Sequence, residues 1–287
     1  MFQKYILFTG GYHTFAAMLC FPNCKINLGL YITNKRQDGY HDLETVFYPL
    51  ALKDALEVVP AVETKLHLSG KQVAGNESNN LVLKAYELLR AKYPGKISAL
   101  DIYLHKAIPM GAGMGGGSAD GAFMLSLLNE YCALNLDKGE LAKLALQLGS
   151  DCPFFIYNSP QFAKGRGEQM QAISLDLSAY SIQLICPQVH VSTREAFTMI
   201  TPKSAAFDLS RLASLPLEEW KGKISNDFEA PVFAQHPELA SIKKQLYNSG
   251  AIYASMTGSG STIYGIFPKG EKAIIQVNAP FEQHYIH

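Results

Sequence analysis

Five glycines fall within seven residues of this chain (Gly111, Gly113, Gly115, Gly116 and Gly117), and Ser118 follows them directly. Ahead of them, Ala99 to His105 alternates, with Leu100, Ile102 and Leu104 on one face, which predicts a strand. Behind them a helical pattern starts near Ser118 or Ala119. Glycines tolerate positive φ and let a ligand approach the backbone. A helix start offers unpaired N–H groups and the positive end of the helix dipole. Together these make an anion site, and a polyphosphate is its natural guest. A flexible glycine turn is the plain alternative, and a helix immediately behind the loop argues against it. The loop is not a Walker A motif, because Ser118-Ala119 stands where lysine and serine or threonine are needed. It also fails the dinucleotide fingerprint: no acidic residue about 20 positions on ends a second strand, and Glu130 lies on the helix itself.

The bulk properties narrow the partners. At 287 residues the chain suits two domains. With 48% hydrophobic and 17% charged residues it reads as a globular enzyme. Lysine plus arginine equals aspartate plus glutamate at 25 each, so no basic excess points to nucleic acid. An anionic ligand must be held by local donors. Cys20, Cys24, Cys132, Cys152 and Cys186 are an odd set without CxxC spacing, against a disulfide framework or a zinc site, so a cytoplasmic location is expected. No run of about 18 apolar residues predicts a membrane span. Met1 to Leu19 is moderately apolar but is interrupted by Gly10 to Thr14. The fold is expected to start near Met18, with residues 1–17 a dispensable extension. Monomer or weak homodimer fits the balanced charge.

Strands are predicted at Ile26 to Thr33, Val46 to Leu50, Ala55 to Val59, Lys65 to Leu68, Phe154 to Tyr157, Ile182 to Cys186 and Ile263 to Phe267. Helices are predicted after Asn79 or Asn80, over Lys138 to Leu148, Arg194 to Ile200 and Pro237 to Tyr247. This interleaving without regular βαβ alternation predicts an α+β fold. The expected domains are 18–162 and 163–287.

Pro109, Met110, Gly111, Ala112, Gly113, Met114, Gly115, Gly116, Gly117, Ser118 and Ala119 read PMGAGMGGGSA, which resembles the second motif of the GHMP kinases (galactokinase, homoserine kinase, mevalonate kinase, phosphomevalonate kinase). PNCKINLGLYIT resembles the first motif and MTGSGSTIYGIF the third, so the resemblance runs from about Met18 through nearly the whole chain. DGYHDLETVF, LGSDCPFF, VHVSTREAF and ISNDFE continue it in order. They narrow it to a branch acting on cytidine diphosphate methylerythritol in the non-mevalonate isoprenoid route. Met114 stands where leucine is usual and Ala119 where a second serine is common, which puts a second hydroxyl ligand there in doubt. The resemblance implies a two-domain GHMP kinase fold: an N-terminal ATP-binding domain like ribosomal protein S5 domain 2 and a ferredoxin-like C-terminal domain.

Phosphoryl transfer needs phosphate donors, a cation and often a base. Asp151, after Gly149-Ser150 and before Cys152-Pro153, is expected at a break between helix and strand. On its own it reads equally as a loop or capping aspartate; the resemblance implies the catalytic base. Lys25 is unusual within an apolar strand. Its plain reading is an edge lysine facing water; the resemblance makes it catalytic, beside Asp151 and the transferring charge. Asn27, two residues on, shares its face and is expected to contact substrate. Asp38-Gly39-Tyr40-His41 reads as a turn. The resemblance implies that Tyr40 stacks on cytosine, His41 hydrogen-bonds its edge and Phe197 closes the sandwich. It also implies that Asn80, Leu81 and Val82 flank adenine, and that Thr257, Gly258, Ser259 and Gly260 shape the substrate's phosphate side. Asn226 and Asp227 read as structural. Mg²⁺ is expected with ATP; no carboxylate cluster announces a cage, so its side-chain ligands are not readable from the sequence, with Ser118 a candidate. The expected activity is phosphorylation of that cytidyl alcohol. A kinase of another alcohol such as homoserine or a sugar, and a nucleotide binder without turnover, are the alternatives.

Overall fold

The computed structural model describes residues 3–9, 13–72, 76–277 and 280–286. In chain order, the first half comprises β1 (Gln3–Thr9), β2 (His13–Cys20), β3 (Asn23–Lys35), β4 (His41–Lys53), β5 (Ala55–Pro60), β6 (Lys65–Gly70), α1 (Leu81–Lys92), β7 (Leu100–Lys106), α2 (Gly116–Tyr131), α3 (Lys138–Leu148) and α4 (Cys152–Tyr157). The second comprises β8 (Gln161–Lys164), β9 (Gln169–Ala172), β10 (Tyr180–Pro187), α5 (Thr193–Thr198), α6 (Glu229–Gln235), α7 (Pro237–Asn248), β11 (Tyr253–Met256), β12 (Ile263–Pro268) and β13 (Phe281–Ile286).

The chain forms two compact units. One holds residues 1–24, 52–110 and 115–158, the other 25–51, 111–114 and 159–287. The unit changes at Asn158, and residues 25–51 and 111–114 group with the later part of the chain. In the first unit a sheet of order β1-β2-β5-β7-β6 is antiparallel except for the β6–β7 pair. α2 packs on β2, and α1, α3 and α4 pack on α2. In the second unit, sheet β11-β12-β10-β13 is antiparallel and α7 packs on β11 and β12; β3-β4-β8-β9 forms another sheet. Leu30, Ile32, Ile185, Phe228, Ile242 and Phe267 belong to one core there.

Local signals explain most boundaries. Asn80 caps α1 by accepting from the Val82 N–H at 2.9 Å, and Val82, Ala85, Tyr86 and Leu89 bury one stripe. α3 starts on a capping box in which Asp137 and Glu140 each accept the other's backbone N–H, and Gly149 ends it. Two expectations need correction. α2 begins at Gly116, ahead of Ser118, because Gly115 supplies the left-handed turn at φ 72°. The strand expected over Phe154 to Tyr157 is instead helix α4. Pro153 near its first turn suits a helix start, and burial of Phe154, Phe155 and Ile156 in a unit where α4 packs on α2 and α3 overrides their β propensity. Asp151 therefore sits between two helices rather than between helix and strand.

Candidate active site

In the second unit the site grows from β3. Lys25 is only 3% exposed, so it is not an edge lysine facing water. Its amine donates to Asn27 Oδ1 at 2.7 Å and to the Gly113 carbonyl at 2.9 Å, and lies 5.2 Å from the centre of the Phe47 ring. The Lys25 N–H donates to the Met114 carbonyl at 3.0 Å. Asn27 is a hub: its Oδ1 accepts from the Gly258 N–H at 3.0 Å, and its amide donates to Thr45 Oγ1 at 2.9 Å. Thr257 Oγ1 accepts from the Asn27 N–H at 3.1 Å and lies 3.2 Å from the Gly113 carbonyl. Gly113 has φ +78°, and a Cβ there would come within 2.1 Å of the Thr257 carbonyl oxygen. The two glycine stretches 111–114 and 257–260 thus meet backbone to backbone. Ala112 and Met114 are buried, while Gly111 is exposed; Ser259 Oγ lies 2.9 Å from Thr193 Oγ1 at the start of α5, and Gly260 is buried.

α5 carries Phe197, and β4 opens with His41. Their rings stack at 5.0 Å with an interplanar angle of 23°, and Phe228 meets Phe197 edge-on at 4.9 Å. Among the described residues neither ring nitrogen of His41 has a hydrogen-bond partner, so its edge is left for a ligand. Burial first, then the charge of Lys35, lowers the His41 pKa. A neutral imidazole offers one donor and one acceptor. Tyr40 is 53% exposed, and its N–H donates to Asp38 Oδ1 at 3.0 Å in the turn that also pairs Arg36 with Asp38 and Asp42. Asn226 donates to the Met256 and Gly258 carbonyls at 2.8 Å each, and Asp227 accepts from the Ile32 N–H, matching their structural reading.

In the first unit the start of α2 has no side-chain cap, which leaves its first N–H groups to an incoming anion. Ser118 is half-buried, and burial pushes the nearby Cys152 thiol up to about 12. Asp151 occupies the N-cap position of α4 without capping it. Asn80 is engaged as the cap of α1, Leu81 is half-buried and Val82 is fully buried. Pro109 is half-buried and Met110 exposed.

One charged cluster was not singled out from the sequence. Lys106 is 1% exposed, ion-paired with Asp54 and 2.6 Å from Asp120 Oδ2. Asp54 Oδ1 also accepts the Ala107 and Ile108 N–H groups, at 2.6 and 2.8 Å. A Cβ on Gly116 would lie 3.4 Å from the Lys106 amine, so the cluster underlies the first residue of α2. A signal for it exists: the inward positions of β7 run Leu100, Ile102, Leu104 and then Lys106. No group of three or more His, Cys, Asp or Glu side chains among the described residues could hold a metal. Nor is any described helix long and apolar enough to cross a membrane.

Comparison with known proteins places this architecture. The family model of the GHMP kinases N terminal domain matches residues 80–159, and that of the GHMP kinases C terminal matches residues 208–285. A 4-diphosphocytidyl-2-C-methyl-D-erythritol kinase of Bacteroides thetaiotaomicron is 52% identical over 258 residues, covering 88% of this chain and 93% of the relative. That of Parabacteroides distasonis is 49% identical over 252 residues, covering 88% and 92%. A crystal structure of 4-(cytidine 5'-diphospho)-2C-methyl-D-erythritol kinase superposes with TM-score 0.70 at 30% identity, covering 87% of this chain and 90% of that one. A homoserine kinase from Cytophaga hutchinsonii shares the fold, with TM-score 0.64 at 14% identity and coverage of 98% and 97%. The chain belongs to the GHMP kinases, in the 4-diphosphocytidyl-2-C-methyl-D-erythritol kinase family.

Proposed function

We infer that this chain transfers the γ-phosphoryl group of ATP to the 2-hydroxyl of 4-diphosphocytidyl-2-C-methyl-D-erythritol, in the non-mevalonate route to isoprenoid precursors. The relatives support a kinase of this family. The observation that favours a cytidyl substrate over the other GHMP alcohols is the His41–Phe197 stack, with its unpartnered imidazole edge. Tyr40 and Phe197 offer faces to the cytosine ring, and neutral His41 reads its polar edge. Homoserine, mevalonate or galactose would leave those groups unused.

In the reaction the substrate hydroxyl oxygen attacks the γ-phosphorus as the bond to the ADP oxygen breaks, and the hydroxyl proton passes to the Asp151 carboxylate. Lys25, held by Asn27 and the Gly113 carbonyl, stabilises the charge on the transferring group. The backbone of 111–118 holds the ATP phosphates, the segment Asn80 to Val82 flanks adenine, and Thr257 to Gly260 shapes the substrate's phosphate side. Mg²⁺ bound with ATP would neutralise the phosphate charge. Of the side chains at the loop, the Ser118 hydroxyl is the one that would help hold such an ion. The enzyme acts in the cytoplasm as a monomer or weak homodimer.

The test is ADP release from ATP and Mg²⁺ with the cytidyl substrate, with homoserine, mevalonate and galactose as parallel acceptors. Turnover confined to the cytidyl substrate is expected; turnover with another acceptor would overturn the roles of Tyr40, His41 and Phe197. Asp151→Asn should lower kcat by about 10²- to 10⁴-fold while ATP binding persists.

A further inference from the structure

Beside Tyr40 lies a cation with no assigned role. The turn between β8 and β9 holds Arg166 between Gly165 and Gly167, with φ of +68° and +106°. The Gly165 carbonyl accepts the Leu43 N–H at 2.7 Å, which fastens this turn to β4 two residues beyond His41. The Arg166 N–H donates to Glu168 Oε2 at 2.6 Å, so that carboxylate is engaged by the turn's backbone. The guanidinium itself lies 3.9 Å from the centre of the Tyr40 ring. Two neighbouring cations are compensated: Arg36 pairs with Asp38 and Asp42, and Lys164 with Glu44 at 3.3 Å. No carboxylate among the described residues lies within ion-pair distance of the Arg166 guanidinium.

A guanidinium stacked on an aromatic ring has its face occupied and its N–H groups directed outward in the ring-parallel plane. That fork suits paired phosphate oxygens, and such charge-assisted bonds are stronger than neutral ones. The cytidyl substrate carries two phosphates one ribose away from its base. We propose that Arg166 binds the diphosphate of this substrate while remaining stacked on Tyr40. The proposal rests on the cytidyl reading of the site and adds to it the group that distinguishes a nucleoside diphosphate from a nucleoside. It also gives the exposed Tyr40 turn two tasks, a ring face for the base and a platform for the cation.

Calorimetric titration of the full chain with CDP and with cytidine tests this, the ATP site being filled with a non-hydrolysable ATP analogue. The wild-type chain should bind CDP more tightly than cytidine, and less so as salt is raised. Arg166→Ala and Arg166→Gln should weaken CDP about 10- to 100-fold while leaving cytidine nearly unchanged, and Arg166→Lys should recover part of the loss. In turnover, KM for the cytidyl substrate should rise while kcat and KM for ATP hold. Equal loss of CDP and cytidine would mean that Arg166 only steadies Tyr40, and no loss would mean that it does neither; both overturn the proposal. The glutamine variant keeps the aliphatic stem, so it serves if the alanine variant folds poorly. Wild-type binding of neither ligand would instead overturn the cytidyl reading on which the proposal stands.

Discussion

At the scale of single residues, close approach between backbones decides which glycines matter. Gly113 combines a positive φ with a neighbour, the Thr257 carbonyl, where a Cβ would stand. Gly117 has open space around it, and its φ lies outside the left-handed region. Gly113→Ala should therefore cost at least about 1–3 kcal/mol from backbone strain alone. It should also displace the carbonyl that receives the Lys25 amine, so activity should fall with stability. Gly117→Ala should leave stability nearly unchanged. Thermal denaturation and ADP release check both, and equal effects of the two substitutions would refute the argument. In the sequence both residues are simply members of one glycine run. Lys25 differs: a lysine leading directly into the apolar run INLGLYIT stands out from the residue order alone. Its partners Asn27, Gly113 and Thr257 are not visible together in any short window.

Among the elements, β7 and α2 share a buried charge problem. Two carboxylates, Asp54 and Asp120, meet one ammonium, Lys106, and the second oxygen of Asp120 has no hydrogen-bond partner. Burial pushes the Asp120 carboxyl up to about 8; Lys106 pulls against this, Asp54 adds to it, and the buried Cys20 thiol also faces it. The unfolded carboxyl titrates near its ordinary value of about 3.9. The folded state thus holds a proton that the unfolded state releases. The resulting stability is fully present below that ordinary value and is lost as pH rises through about 8. Asp120→Asn keeps the neutral shape and should flatten this slope, so the wild-type melting temperature should fall relative to the variant's between about pH 5 and 9. Parallel melting curves would refute it. The alternation of β7 was readable through Leu104, and carrying it one step further would have exposed Lys106 as an inward lysine. α4 was not readable as a helix, because FFIY favours a strand locally and only its burial in the helical layer reverses that.

Across the whole molecule, the N-terminal hairpin and the division into units set what can be removed. β1 pairs with β2 from Gln3–Leu19 to Thr9–His13, but only Met18, Leu19 and Cys20 of β2 pair with β5. Deleting residues 1–17 should leave that junction and the activity intact. Circular dichroism and turnover of the truncated chain test this, and a chain that no longer folds would overturn it. By itself the sequence determined the strand, glycine loop and helix around Ser118, a helix cap at Asn79 or Asn80, the helix end at Gly149, and the α+β class. Each of these follows from periodicity, capping and backbone sterics acting over a few residues. Only the tertiary structure decided the strand order β1-β2-β5-β7-β6, the apposition of Gly113 with Thr257, the His41–Phe197 stack and the Asp54–Lys106–Asp120 cluster. Those contacts join segments far apart in the chain, where shared burial and the pairing of desolvated polar groups select the partner and no local pattern can.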